Sequence, residues 1–166
     1  MPVLQDGAFS LTESAVVADY VAAKAGGALL PATAEARARA AIFAEQVVAK
    51  YVGAFYPLLR SAPEAREEKT AAFLAAVAAA GAALGASGGP FFAGAAVSLS
   101  DFLLWPFVER VCVLEHYAAC AIPREGAGFA EFARWSDAMR ALPSVEATAQ
   151  PAALFIDGYK GYAHKA

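Results

Sequence analysis

From Thr70 to Ser100 the chain carries no charged residue, and a run of that kind is stable either across a bilayer or inside a helical bundle. A spanning helix needs about 20 predominantly apolar residues. Before the first break, however, the large apolar side chains are only Phe73, Leu74, Val77 and Leu84, and the rest is mostly Ala and Gly. Ser87-Gly88-Gly89-Pro90 then stops any helix. Phe73, Val77, Ala80 and Leu84 share one face at helical spacing. The segment therefore reads as an Ala-rich helix packed in a bundle, with no membrane role.

Composition points the same way. Of the 166 residues, 59% are hydrophobic and only 17% are charged, which excludes a disordered chain. Roughly a quarter of the residues are Ala, the best helix former and one that buries little area. The length suits one domain, or one with a small appendage. The net charge of −3, without any Lys/Arg cluster, argues against a nucleic-acid partner. Met1 to Gly7 lacks the basic and apolar regions of a signal peptide, so the expected compartment is the cytoplasm. Cys112 and Cys120 read as one helical stretch, about 12 Å apart at two turns, too far to bridge. Their ordinary role is that of small buried hydrophobes.

The chain opens on strand signals. Val3-Leu4-Gln5 and Ala8-Phe9-Ser10-Leu11 flank an Asp6-Gly7 turn. Thr12 is placed to cap a helix from Glu13 to about Lys24, which Gly26-Gly27 ends. A long helix is expected after Thr33, running to about Arg60. Its stripe is Ala40, Phe43, Val47, Tyr51, Ala54 and Leu58, and Pro57 is expected to kink it. Pro63 opens a third helix, lasting to about Gly85. Ser98-Leu99-Ser100-Asp101 is a capping-box pattern directly before an apolar run. That run continues as Phe102 to Val108 and is apolar on all sides, the mark of a helix in the centre of a bundle. Two shorter helices follow, about Gly128 to Leu142 and after Pro143. The tail from Leu154 to Tyr162 holds a last amphipathic turn or two.

Conventional catalytic equipment is sparse. His116 and His164 have no second ligand at a metal-like spacing, so no metal site is expected. His116 reads as a surface or capping histidine, and His164 as part of a frayed tail. Glu13 and Ser14 begin a helix after a strand, where backbone N–H groups are unpaired and the dipole is positive. Ser14 and its N–H suit a substrate carboxylate, and Glu13 suits an ammonium. On residue types alone, Glu13 as a simple complement to the dipole is the more ordinary reading. Arg110 suits a pocket that attracts an anion, although a structural ion pair is the commoner role. Tyr51, Phe55, Tyr56, Trp105 and Phe107 can wall an apolar pocket, or can be plain core.

Taken together, these residues resemble a known family. Pro2-Val3-Leu4-Gln5-Asp6-Gly7, followed by Glu13-Ser14 and the helix through Tyr20, is similar to the second half of the thioredoxin-like domain of cytosolic glutathione transferases. That family has a cis-proline before its third strand, a D-G turn, and an E-S pair that holds the γ-glutamyl end of glutathione. The resemblance implies that role for Glu13 and Ser14, a cis peptide before Pro2, and glutathione as co-substrate. Ser98 and Asp101 match the capping box of the family's central helix, a folding element. Trp105-Pro106-Phe107-Val108-Glu109-Arg110 resembles the W-P-x-x-E-R run of the omega class and its lambda and dehydroascorbate-reductase relatives. Those enzymes favour thiol transfer and reduction of small electrophilic or oxidised substrates. On this basis Tyr51, Phe55, Trp105 and Arg110 are the expected substrate-pocket residues.

The implied fold is mainly α: a helical bundle of the glutathione transferase C-terminal type over residues 28–166. A β-hairpin and helix over residues 1–27 form the remnant of a thioredoxin-like domain. The family's first two strands and helices, and with them its catalytic Cys, Ser or Tyr, have no counterpart in these residues. Cys112 and Cys120 do not match the catalytic position. The resemblance thus implies an omega-like glutathione transferase without its catalytic half, which can form a homodimer. The alternative from another class is a non-catalytic transferase-like helical module for protein association.

Overall fold

A computed structural model describes residues 2–164. Strands β1 (Val3–Asp6) and β2 (Phe9–Thr12) form an antiparallel hairpin with Leu4 opposite Leu11 and Asp6 opposite Phe9. The two-residue loop is Gly7-Ala8, one position later than the Asp-Gly pattern suggests, and Gly7 takes the positive φ of 61° that this tight turn needs. Helix α1 (Ser14–Lys24) folds back on the hairpin. Asp6 joins the two, its Oδ2 accepting from the Tyr20 hydroxyl at 2.7 Å and the Lys24 ammonium at 2.5 Å. The Phe9 and Tyr20 rings meet 5.4 Å apart beside it.

The remainder is helical. α2 (Ala34–Phe43), a π-helical segment (Ala44–Val48) and α3 (Ala49–Leu59) follow end to end as one long helix. Thr33 caps it, its Oγ1 accepting from the Ala36 N–H. The expected stripe is kept on both sides of the π turn: Phe43, Tyr51 and Leu58 are buried, Val47 and Ala54 pack against the same core, and Phe55 and Leu59 widen the buried face. α-Helical geometry continues through Pro57 to Leu59; the departure from it lies upstream, at residues 44–48.

A short 3-10 turn, Pro63–Ala65, leads into α4 (Arg66–Gly85). By length and composition alone this segment is long and apolar enough to cross a membrane. Here Phe73, Val77, Ala80 and Leu84 are buried as a stripe, and the helix packs between α3 and α7 (Phe129–Arg140). Two glycines permit the close approach to α7. A Cβ on Gly81 would lie within 1.7 Å of the Gly128 carbonyl oxygen, and one on Gly128 within 2.3 Å of the Ala78 carbonyl oxygen.

α5 (Leu99–Glu109) is the central helix, with Ser100, Asp101, Leu104, Trp105 and Val108 buried. The Leu99 N–H donates to Leu29 O at 2.9 Å, pinning the segment after α1 to the head of α5. α6 (Val111–Ala118) ends where Ala119 turns left-handed, φ 52°, so Cys120 lies beyond the helix that was expected to contain it. α8 (Pro143–Glu146) and α9 (Ala152–Tyr159) close the bundle. The tail does not fray at His164: its N–H donates to Leu59 O at 3.2 Å, and Ala163 is buried.

Candidate functional site

The head of α1 is the first place to look for binding chemistry. The hairpin register, Val3 opposite Thr12, brings Pro2 and Glu13 to the same end of the ladder. The bond from Met1 to Pro2, expected to be cis, lies outside the described residues. Glu13 is the residue before the first turn, not its first helical member, and Thr12 is the last residue of β2 rather than the cap. The reason is backbone geometry: Glu13 holds φ 71° and ψ 119°, which a helical residue cannot. For a side chain with a Cβ this costs about 1–3 kcal/mol and persists only where the surroundings impose it. Its carbonyl still accepts the first helical bond, from the Val17 N–H at 2.9 Å. Ser14 then opens the helix. Both side chains are exposed, and neither engages a protein partner among the described residues. What the head of α1 presents to solvent is therefore a hydroxyl, free backbone N–H groups and a carboxylate.

The expected pocket residues are elsewhere. Tyr51 and Phe55 are completely buried and pack against Phe73, with ring centroids 5.2 and 6.2 Å from it. They form core because the helix face that carries them is covered by α4. Among the described residues the Tyr51 hydroxyl has no hydrogen-bond partner, and burial drives its pKa far up. Trp105 is buried edge-on against Trp135 at 6.1 Å. Arg110 makes no ion pair among the described residues. Its guanidinium donates to Pro106 O at 2.6 Å and covers the Phe155 ring at 5.4 Å, so a carbonyl and an aromatic face replace the expected carboxylate. Neither thiol is activated. Burial pushes Cys112 and Cys120 upward, and the Glu115 carboxylate adds to both. Among the described residues no group of three or more metal-ligating side chains gathers.

The capping residues form a larger arrangement than a cap. Asp101 is fully buried. Its Oδ2 accepts from the Ser98 N–H at 2.9 Å and from the Ser98 hydroxyl at 2.8 Å. Its Oδ1 accepts from the Phe92 N–H and from Trp135 Nε1, both at 2.8 Å. One carboxylate thus ties the helix head, the preceding loop and α7.

Sequence reasoning did not assemble the concave regions of the described residues, although it named Tyr56 as a candidate pocket wall. A groove of about 750 Å³ lies between residues 28–32, α2, the end of α4 and the loop before α5; Leu30, Ile42, Phe43, Val47 and Val97 line it. A smaller pocket of about 370 Å³ is lined by Tyr56, Arg60, Tyr159 and Tyr162. The i, i+4 spacing of Tyr56 and Arg60 is visible in the sequence, but the return of the tail to meet them is not.

Residues 63–138 match the family described as glutathione S-transferase, C-terminal domain. A trimeric glutathione transferase from Leishmania is 25% identical, with a TM-score of 0.81 over 97% of this chain and 37% of that one. The fold is that of the glutathione transferases. Glutathione transferase Omega 2C from Trametes versicolor is 28% identical, with a TM-score of 0.71 over 96% of this chain and 70% of its own. A theta class glutathione S-transferase from Xanthomonas axonopodis pv. citri, solved with glutathione bound, is 22% identical. Its TM-score is 0.66 over 90% of this chain and 79% of that one. No curated protein matches the sequence. The chain spans 37% of the length of the Leishmania transferase. Glutathione transferases of more than one class share the fold, so the likeness by itself sets no class.

Proposed function

We propose that the chain is glutathione S-transferase-like and of the omega type, carrying the γ-glutamyl side of a glutathione site without the catalytic half, and that it works in the reducing cytoplasm. In this reading Glu13 and Ser14 hold the γ-glutamyl end of glutathione beside Pro2. The observation that carries it is the backbone of Glu13. A strained residue after β2 turns the chain so that Ser14 and the open N–H groups of α1 face solvent together. A carboxylate is favoured at such a helix start, and the Glu13 side chain suits an α-ammonium. The omega assignment rests on the Trp105-Pro106-x-x-Glu109-Arg110 run, together with the likeness to the Trametes omega enzyme.

A helix N-terminus contributes about 0.3–1 kcal/mol to an anion, and one charged hydrogen bond about 1.5–3. Together they amount to roughly 2–4 kcal/mol, which corresponds to millimolar binding or weaker. Residues 1–166 therefore bind glutathione weakly and, with both thiols pushed up, turn over neither dehydroascorbate nor a mixed disulfide. Calorimetric titration tests the binding half: glutathione should bind more tightly than cysteinylglycine, which lacks the glutamyl group, and Ser14→Ala should remove the difference. Equal binding of the two ligands would reject the γ-glutamyl role. Turnover that vanishes in Cys112→Ala or Cys120→Ala would make the chain an enzyme through its own cysteines.

A further inference from the structure

A pocket of about 330 Å³ lies where the end of α4 and the loop after it meet α7; Leu84, Gly88, Pro90, Glu131, Arg134 and Trp135 line it. The chain's own bonds hold its walls. The Ser87 hydroxyl lies 3.0 Å from Leu84 O and 2.7 Å from Phe91 O, and accepts from the Gly89 N–H at 3.3 Å, which fixes the loop. Buried Trp135 is fixed by the bond from its Nε1 to Asp101. Two opposite charges stand one turn apart on α7 without pairing. Glu131 turns back through Oε2 to accept from the Gly128 N–H at 3.0 Å. Its side chain lies so close to Gly85 that a Cβ there would meet Glu131 Cγ at 2.7 Å. Among the described residues Glu131 Oε1 has no hydrogen-bond partner. Arg134 is exposed, and among the described residues its guanidinium has neither a hydrogen bond nor a carboxylate partner.

These features divide the pocket by charge. The Glu131 carboxylate and the carbonyl end of α4 both favour a cation. α4 is 20 residues long and has no basic residue in its last turn to meet that need. Arg134 favours a carboxylate, which its guanidinium fork can meet side by side. Side chains at i and i+3 of a helix stand about 5–6 Å apart at Cβ, a span that an ammonium and a carboxylate on one carbon can bridge. Leu84, Pro90 and Trp135 offer apolar surface beside them. We propose that the pocket between α4 and α7 binds a free α-amino acid with an apolar side chain. The ammonium meets Glu131 Oε1 at the end of α4, the carboxylate meets Arg134, and the side chain lies against Pro90 and Trp135. This binding uses neither Glu13 nor Ser14, so it goes beyond the proposed function and stands or falls apart from it.

The test is an NMR titration of the full ¹⁵N-labelled chain with L-leucine, 3-methylbutylamine and 4-methylpentanoate. The amine is leucine without its carboxylate, and the acid is leucine without its ammonium. Leucine should saturably shift the Gly88, Gly89, Glu131 and Arg134 amides and the Trp135 indole N–H. Each half-ligand should bind at least about tenfold more weakly, the scale of one charged hydrogen bond. Arg134→Gln should weaken leucine by about tenfold and leave the amine unchanged. Glu131→Gln keeps an acceptor for the Gly128 N–H, so the helix start is preserved; it should weaken leucine by about tenfold and leave the acid unchanged. Ser14→Ala should leave leucine binding as it is, which separates this pocket from the head of α1. Absence of saturable shifts, or shifts mapping away from this pocket, would overturn the proposal. So would a half-ligand that binds as tightly as leucine, or leucine binding that survives both Gln variants or is lost in Ser14→Ala.

Discussion

Replacing Asp101 by Ala should cost far more than the loss of a helix cap. An exposed cap is worth about 0.5–2 kcal/mol, and the capping-box pattern by itself predicts that much. In the structure the same carboxylate accepts four donors while fully buried. The Ser98 hydroxyl can rotate to another acceptor. The N–H groups of Ser98, Phe92 and Trp135 cannot, and each buried donor left without a partner costs about 1–3 kcal/mol. Relief from burying the charge, and water entering the space left behind, offset part of that sum. The net expectation is a loss of about 3–6 kcal/mol, against a usual total stability of about 5–15. Asp101→Asn keeps one oxygen, and with it two of the four bonds. Whichever way the amide turns, its NH2 faces two donors, so it should cost about 2–4 kcal/mol. Ser98→Ala removes only the hydroxyl and should cost no more than about 1 kcal/mol. Urea unfolding, followed by circular dichroism and by Trp fluorescence, measures all three at constant slope. A loss under about 2 kcal/mol for Asp101→Ala, or equal losses for Asp101→Ala and Ser98→Ala, would refute the network.

Other outcomes follow from particular contacts. Gly81→Ala should destabilise by about 1–3 kcal/mol, because its methyl would strike the Gly128 carbonyl. Gly53→Ala, on the exposed face of α3 with nothing within 4 Å, should instead stabilise by about 0.5–1 kcal/mol; the same denaturation curves show whether the signs differ. Val3 and Phe9, 63% and 52% exposed on a hairpin with open edges, should drive self-association. Light scattering that shows monomers, with no gain in solubility on deleting residues 2–11, would reject this. Lys24, by its hydrogen bond, and then Tyr20 hold Asp6 below the usual carboxylate range. A depressed folded value means that docking of the hairpin on α1 is strengthened above the unfolded pKa, about 3.9, and is lost as pH falls through the lower folded value. Amide exchange in β1 and β2 should rise in that acid range for the native chain, and Asp6→Asn should remove the pH dependence.

The parts of the fold that were legible are those written in short-range spacing. The hairpin, Pro63 at a helix start and the Ser98/Asp101 pair all depend on residues a few positions apart. Helix existence followed from Ala content and apolar period. What remained hidden was tertiary. Nothing near Asp101 in sequence announces Trp135, and nothing near Arg60 announces Tyr162. The π turn at residues 44–48 carries no Gly or Pro, so no local signal announced it. Tyr51 and Phe55 were ambiguous for a related reason: an aromatic at helical spacing looks the same whether its neighbour is a cavity or another helix. The head of α1 was legible as a position, but the positive φ of Glu13, which sets its geometry, was not.

The most direct test of glutathione recognition at α1 is to map where it binds on the ¹⁵N-labelled chain. A γ-glutamyl site there predicts saturable shifts of the Ser14, Ala15 and Val16 amides with a millimolar or weaker constant, abolished in Ser14→Ala. Saturable shifts confined to other parts of the bundle, or shifts at these amides that survive Ser14→Ala unchanged, would contradict it.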